Sequence, residues 1–146
     1  WYILAMKKPH AEFSLHSPIT KAEAAAMHPM ALAFVGDAVH TLFVRTLVTE
    51  EHGAAHTGEL HRLTTGAVAA VAQAAASDRI APLFDETEAD IFRRARNCRI
   101  QTSAKHAEPA EYRRASGLEA VFGFLYLTGQ TERLNGSLSL TAEEDK

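Results

Sequence analysis

Two long stretches of the chain are apolar, and each is interrupted by a single formal charge. Between Pro29 and Val44 that charge is Asp37; between Ala115 and Thr131 it is Glu119. Neither stretch alternates with the period of two that a half-buried strand shows, so both read as helices. At about 100° per residue, Leu32, Val35, Val39 and Leu42 form one apolar face of the first. Met30, Ala33, Asp37, His40 and Val44 lie on the other. A helix apolar nearly all round is expected at the centre of a fold, which would bury Asp37. Glu119 sits the same way among Leu118, Ala120, Val121, Phe122 and Phe124. Ala33 lies four residues before Asp37, and Ala115 and Gly123 lie four either side of Glu119. Such small residues let two helices approach closely and bring the acids together. An ionised carboxylate in apolar surroundings costs several kcal/mol unless it is compensated. A raised pKa, a salt bridge or a divalent cation shared by both acids would each do so. Two such acids point further toward the cation than one would.

The rest of the chain supports an all-helical fold. Alanine is abundant, no strand-like alternation or internal repeat occurs, and Gly and Pro fall mostly between periodic segments. The spacing predicts a helix over 21–27 capped by Thr20 with Glu23, and a break at His28-Pro29. A long helix follows over 29–51, ending near Gly53, then a loop over 54–58 and a third helix over 60–77. A fourth begins after Leu83, capped by Thr87 with Asp90. A polar, basic connection spans 98–110. A fifth helix covers 111–127 and stops at Gly129, and a short one starts at Thr131 before a charged tail over 141–146. The 146 residues suit one domain, and 47 % hydrophobic content excludes a disordered chain. Cys98 is the only cysteine, which excludes an internal disulfide and a cysteine zinc site and favours a reducing compartment. No apolar run reaches roughly 18 residues free of charges or polar clusters, so no membrane span is expected. The opening residues 1–6 are too short for a signal-peptide core and lack a preceding basic region.

Charge is unevenly placed. From Arg93 to Arg114 seven basic residues (Arg93, Arg94, Arg96, Arg99, Lys105, Arg113 and Arg114) face only Glu108 and Glu111, a net +5. The whole chain is −3, so the remainder carries −8. A basic block in an acidic chain is the footprint of a polyanion site. Asn97, Gln101, Thr102 and Ser103 add neutral donors for phosphate and 2′-hydroxyl groups. The plainer alternative is a solvated face on which Arg93 and Arg94 pair with Glu88 or Asp90. Acids that can hold a cation beside a basic surface suggest a metal-dependent phosphodiesterase.

At this point the sequence resembles the ribonuclease III family. Leu32-Ala33-Phe34-Val35-Gly36-Asp37-Ala38-Val39 is similar to its signature helix, and Gly117-Leu118-Glu119-Ala120-Val121-Phe122-Gly123 to its second acidic helix. The nearer resemblance is to the small branch called Mini-ribonuclease III, which lacks a separate double-stranded-RNA-binding domain. The matching motifs are Ala31 to Ala38, Leu60-His61 followed by Ala70 and Gln73, and Arg94-Ala95-Arg96-Asn97-Cys98-Arg99. Tyr112-Arg113, Leu125-Tyr126-Leu127 and Glu132-Arg133-Leu134 complete the set. The resemblance implies a catalytic domain over 29–138, with 1–28 poorly matched and 139–146 a tail. It implies an all-α, dimeric ribonuclease III endonuclease-domain-like fold that cleaves double-stranded RNA with Mg²⁺, leaving 5′-phosphate and 3′-hydroxyl ends. Maturation of 23S ribosomal RNA precursor in the cytoplasm, by a homodimer, is the implied setting. Whether a ribosomal protein first presents that substrate stays open. Asp37 and Glu119 are the implied catalytic and metal-binding residues, and Arg94, Arg96, Asn97, Lys105 and Arg113 the implied RNA contacts. Three acids of longer family members are replaced here by Met30, Ala33 and Ser116, which leaves the number of metal ions open. Glu59 lies near a further acidic position, but its surroundings do not match.

Other residues admit plainer readings. His52 and His56 have zinc-like spacing, but Gly53 lies between them, so they read as loop surface. His61 either contacts RNA or caps a helix, His40 either orients Asp37 or packs beside it, and Tyr112 either meets RNA or belongs to the core. Cys98, Ser103 and Ser116 have no partner base in a recognisable arrangement. On residues alone, two rival functions stay open: a non-catalytic RNA-binding module, and a helical interaction protein whose acids form internal salt bridges.

Overall fold

Helices start where side chains can satisfy the amides that a first turn leaves unpaired. In the computed structural model, which describes residues 15–98 and 109–143, the Thr20 hydroxyl accepts from the Glu23 amide at 3.1 Å and opens α1 (Lys21–Ala25). His28 caps α2 (Pro29–His52): its Nδ1 accepts from the Met30 amide at 3.1 Å, and Pro29 fills a position that needs no donor. The residue before a proline is held extended, and α1 accordingly stops two residues short of the predicted end. α3 (Thr57–Val68) begins three residues earlier than predicted. The single helix expected over 60–77 is two, because Ala69 is extended (ψ 148°) and α4 (Ala70–Ile80) starts afresh.

A 3₁₀ turn (Ala81–Leu83) leads to α5 (Glu86–Arg96). Its cap is Asp85 with Glu88, not Thr87 with Asp90. Asp85 accepts from the Glu88 amide at 2.8 Å, and the Glu88 carboxylate accepts from the Asp85 amide at 3.0 Å. An alternative cap-x-x-acid pair, Asp85 with Glu88, lies two residues upstream of the predicted Thr87 with Asp90, where the chain first turns from extended to helical. α6 (Pro109–Leu127) ends at Gly129, whose φ of 71° suits glycine, and α7 (Thr131–Thr141) closes the fold. Most of the predicted basic connection, including Arg99, Gln101, Thr102, Ser103, Lys105 and Glu108, lies outside the described residues. So do residues 1–6 and the end of the tail. Among the described residues there is no strand, and the fold is all-α.

The centre is α6 rather than α2. Ala115, Leu118, Ala120, Val121, Phe122, Phe124 and Leu125 are all buried. α2, α4, α5 and α7 pack around this helix, while α3 lies on α2. Contrary to the expectation that no segment is long and apolar enough to span a membrane, α2 is so by length and composition, because its few charges and scattered polar residues do not lower its mean hydropathy enough; 28 % of its most apolar window is buried. Its inner ridge is Leu32, Gly36, His40 and Val44, not the predicted face of Leu32, Val35, Val39 and Leu42. Phe34 (81 % exposed) and Leu42 (59 %) face outward. The ridge is chosen by closeness of approach. A β-carbon placed on Gly36 would lie 2.9 Å from the Gly123 nitrogen; one placed on Gly123 would lie 2.8 Å from the Leu32 carbonyl carbon. The two glycines let the main chains of α2 and α6 touch, and that crossing places the two acids.

Candidate active site

Asp37 follows Gly36 on α2, and Glu119 lies one turn before Gly123 on α6, so the crossing brings both to one cleft. The cleft has a volume of about 320 Å³ and is lined by both acids with Gln73, Tyr112, Phe34 and Val68 among others. Met30, Ala33 and Ser116, the positions at which longer family members carry acids, line it too. Asp37 is exposed, contrary to the burial expected from its helix, because α2 covers only one of its faces. Glu119 is the acid with the desolvation problem. Burial, reinforced by the charge of Asp37, pushes its pKa up to about 7 against the pull of a hydrogen bond from Gln73. That bond runs from Gln73 Nε2 to Glu119 Oε1 at 3.0 Å. Among the described residues neither acid forms a salt bridge, so internal ion pairing does not account for them.

The predicted basic residues divide. Arg93 pairs with Asp90, and Arg114 donates to both oxygens of Asp78 at 2.9 and 3.1 Å. Arg94 donates to the Ala25 carbonyl at 3.0 Å and lies 3.9 Å from Asp90, which ties α5 to the end of α1. Arg96 lies over the Phe92 ring, 5.7 Å from its centroid, and donates weakly to Asn97 Oδ1 at 3.4 Å. Asn97 and Arg113 are exposed, and among the described residues no ion pair engages Arg113. Glu88 does not serve Arg93 or Arg94; it is held by Arg133 instead.

Geometry bears on the open readings of other residues. His40 packs: it is 2 % exposed, its ring is tilted against Phe122 with centroids 5.5 Å apart, and Nδ1 has no hydrogen-bond partner. Burial pushes its pKa down to about 4. His52 and His56 are exposed, and the described residues contain no cluster of three or more His, Cys, Asp or Glu that could hold a metal. His61 is exposed on α3, and Glu59 is engaged by Arg62 on the same helix. Tyr112 lines the cleft. Gln73 is the site residue to which no charge or period assigned a role. Its signals were its place in the motif with Leu60-His61 and Ala70 and a polar side chain in an alanine-rich segment.

The ribonuclease III domain matches residues 30–130, which include both acids and the whole α2–α6 crossing. The chain belongs to the ribonuclease III family. It is 41 % identical to a Mini-ribonuclease 3 of Thermoanaerobacter sp. (strain X514) over 86 % of this chain and 87 % of that one. It is 42 % identical to a Mini-ribonuclease 3 of Symbiobacterium thermophilum over 79 % and 88 %. A crystal structure of a Fusobacterium nucleatum protein superposes with a TM-score of 0.72 at 27 % identity, covering 79 % of this chain and 91 % of that one. The chain is therefore an endoribonuclease of the ribonuclease III family.

Proposed function

We propose that the protein cleaves double-stranded RNA at the Asp37–Glu119 cleft with Mg²⁺, as a homodimer, in maturing 23S ribosomal RNA precursor in the cytoplasm. The observation that carries the site is Glu119. It is a carboxylate pushed up to about 7 by burial and by Asp37, with no Lys or Arg paired to it among the described residues. Two acids that repel one another at one cleft suit a divalent cation, whose charge removes the repulsion. With Met30, Ala33 and Ser116 contributing no carboxylate, Asp37 and Glu119 would hold one Mg²⁺ that keeps several waters. When bound, the ion supplies an activated water and neutralises charge developing on the phosphate.

The chain's own groups do the rest. Arg96, Asn97 and Arg113 would hold phosphates and sugars, contacts that read duplex shape more than sequence; the exposure of Asn97 and Arg113 supports this. Lys105 belongs with them on its place in the basic block. Arg94 adds charge there while its guanidinium is tied to α1. Hydrolysis by attack of water with departure of the 3′-oxygen leaves 5′-phosphate and 3′-hydroxyl ends. The bare stripe of Phe34 and Leu42 on α2 favours a second copy of the chain as its cover, and Phe34 also lines the cleft. A dimer would set two cutting sites across one duplex. The relatives' name, Mini-ribonuclease 3, supports an RNA substrate; the ribosomal precursor rests on the family resemblance alone. The test is cleavage of a long double-stranded RNA with Mg²⁺, with EDTA, and with Asp37→Asn. Cutting is expected with Mg²⁺ alone, and Asp37→Asn should still bind the duplex uncut. Undiminished cutting in EDTA or by Asp37→Asn would refute the site.

A further inference from the structure

Gln73 occupies the first turn of α4, is 3 % exposed, and lines the cleft. Its Nε2 makes two hydrogen bonds: 2.8 Å to the Val68 carbonyl and 3.0 Å to Oε1 of Glu119. Val68 is the last residue of α3, and the break at Ala69 deprives its carbonyl of the amide a continuing helix would supply. A carbonyl can only accept, so it fixes which end of the Gln73 amide is nitrogen. The second N–H of that nitrogen is what reaches Glu119. Turning the amide over would abandon Val68 and present an oxygen to an oxygen. The amide's own oxygen is buried with no partner, so the side chain is not placed for its own satisfaction. Among the described residues no other hydrogen bond reaches the Glu119 carboxylate.

We propose that Gln73 is a positioning residue: its amide, locked by the carbonyl at the α3–α4 break, holds Glu119 in one rotamer with Oε1 occupied and Oε2 left for the cation. The inference rests on the reading that Asp37 and Glu119 hold a divalent ion. A glutamate has three side-chain torsions, and fixing them before the ion arrives removes an ordering cost from capture. The helix break then has a task. A continuous helix would satisfy Val68 with a backbone amide and leave the Gln73 amide free to rotate.

Mn²⁺ binding, followed by electron paramagnetic resonance on the full chain, separates the claims. Wild type, Glu119→Gln and Gln73→Met are compared, each with its helix content checked by circular dichroism. Methionine keeps the length and bulk of Gln73 without a donor. Wild type should bind, Glu119→Gln should lose binding, and Gln73→Met should bind about tenfold more weakly. Its kcat on duplex RNA should fall at an unchanged KM. Wild-type Mn²⁺ affinity in Gln73→Met, with binding still lost in Glu119→Gln, overturns the positioning role and leaves the metal reading intact. A lowered melting temperature with that unchanged affinity would mark Gln73 as structural only. Mn²⁺ binding that is absent from wild type, or unchanged in Glu119→Gln, overturns the metal reading and this inference with it. If Gln73→Met does not fold, the wild type decides: the Gln73 side-chain amide resonances should shift as Mg²⁺ is titrated, and unmoved resonances refute the inference.

Discussion

Gly36→Ala should unfold this protein far more than any propensity scale allows. In an exposed helix interior the change from glycine to alanine stabilises by about 1 kcal/mol. At Gly36 the new methyl would lie 2.5 Å from the Glu119 carbonyl carbon and 2.9 Å from the Gly123 nitrogen. Carbon–carbon contact is comfortable at roughly 3.5–4.0 Å, so the two main chains must part by roughly 1 Å or more. Neither obstacle is a side chain that can swing aside; both are backbone on the most buried helix. Parting them opens the α2–α6 interface, the largest in the fold. Overpacking against flexible neighbours costs about 1–3 kcal/mol; against backbone we expect the upper end or beyond, a net loss of about 3 kcal/mol. In a domain of this size that lowers Tm by about 10 °C. Gly66→Ala is the control: it sits within α3 with nothing near its β-carbon, and should stabilise by about 0.5–1 kcal/mol. Urea unfolding of both variants reads the difference directly. A Gly36→Ala protein as stable as Gly66→Ala would refute the crossing, and with it the reason Asp37 and Glu119 share a cleft.

The remaining predictions concern charge and surface. Glu119 lies at about 7 in the fold and at 4.5 ordinarily, so its contribution is full below pH 4.5 and is lost as pH rises through 7, a swing of roughly 3 kcal/mol. His40, at about 4 against 6.5, has the opposite sign: its contribution is present above 6.5 and lost as pH falls through 4. Melting in EDTA should therefore be nearly flat between pH 4.5 and 6.5 for wild type and rise with pH for Glu119→Gln; parallel profiles would refute the burial of Glu119. Arg133→Met strands Glu88, whose side chain is 2 % exposed, and should cost about 3 kcal/mol by urea unfolding; a loss under 1 kcal/mol would mean the carboxylate finds another partner. Phe34→Asp should convert a dimer to a monomer of unchanged helix content by light scattering, and a monomeric wild type would refute that use of the bare stripe. Arg113→Ala should lower the salt slope of RNA binding by about one, whereas an unchanged slope removes Arg113 from the interface.

The sequence by itself determined the all-helical class, nearly every interruption and the two acids that line the cleft. These are local or one-dimensional facts. Thr20 and Pro29 open helices by short-range hydrogen bonding and fixed φ, Gly129 supplies a positive φ, and a solitary acid in an apolar run is visible without any neighbour. Tertiary structure alone decided which face of an apolar helix is covered. Periodicity placed Leu32, Val35, Val39 and Leu42 together, but α2 turned its glycine ridge inward because only there could two backbones meet. That choice exposed Asp37, bared Phe34 and left Glu119 as the desolvated acid. It also put the break at Ala69 beyond reach of the sequence. No glycine or proline lies at that position, and the polar group that caps the freed carbonyl comes from Gln73, whose second hydrogen bond crosses to another helix. Local signals state what a segment can form; which surfaces are then lost to solvent depends on partners distant in the chain.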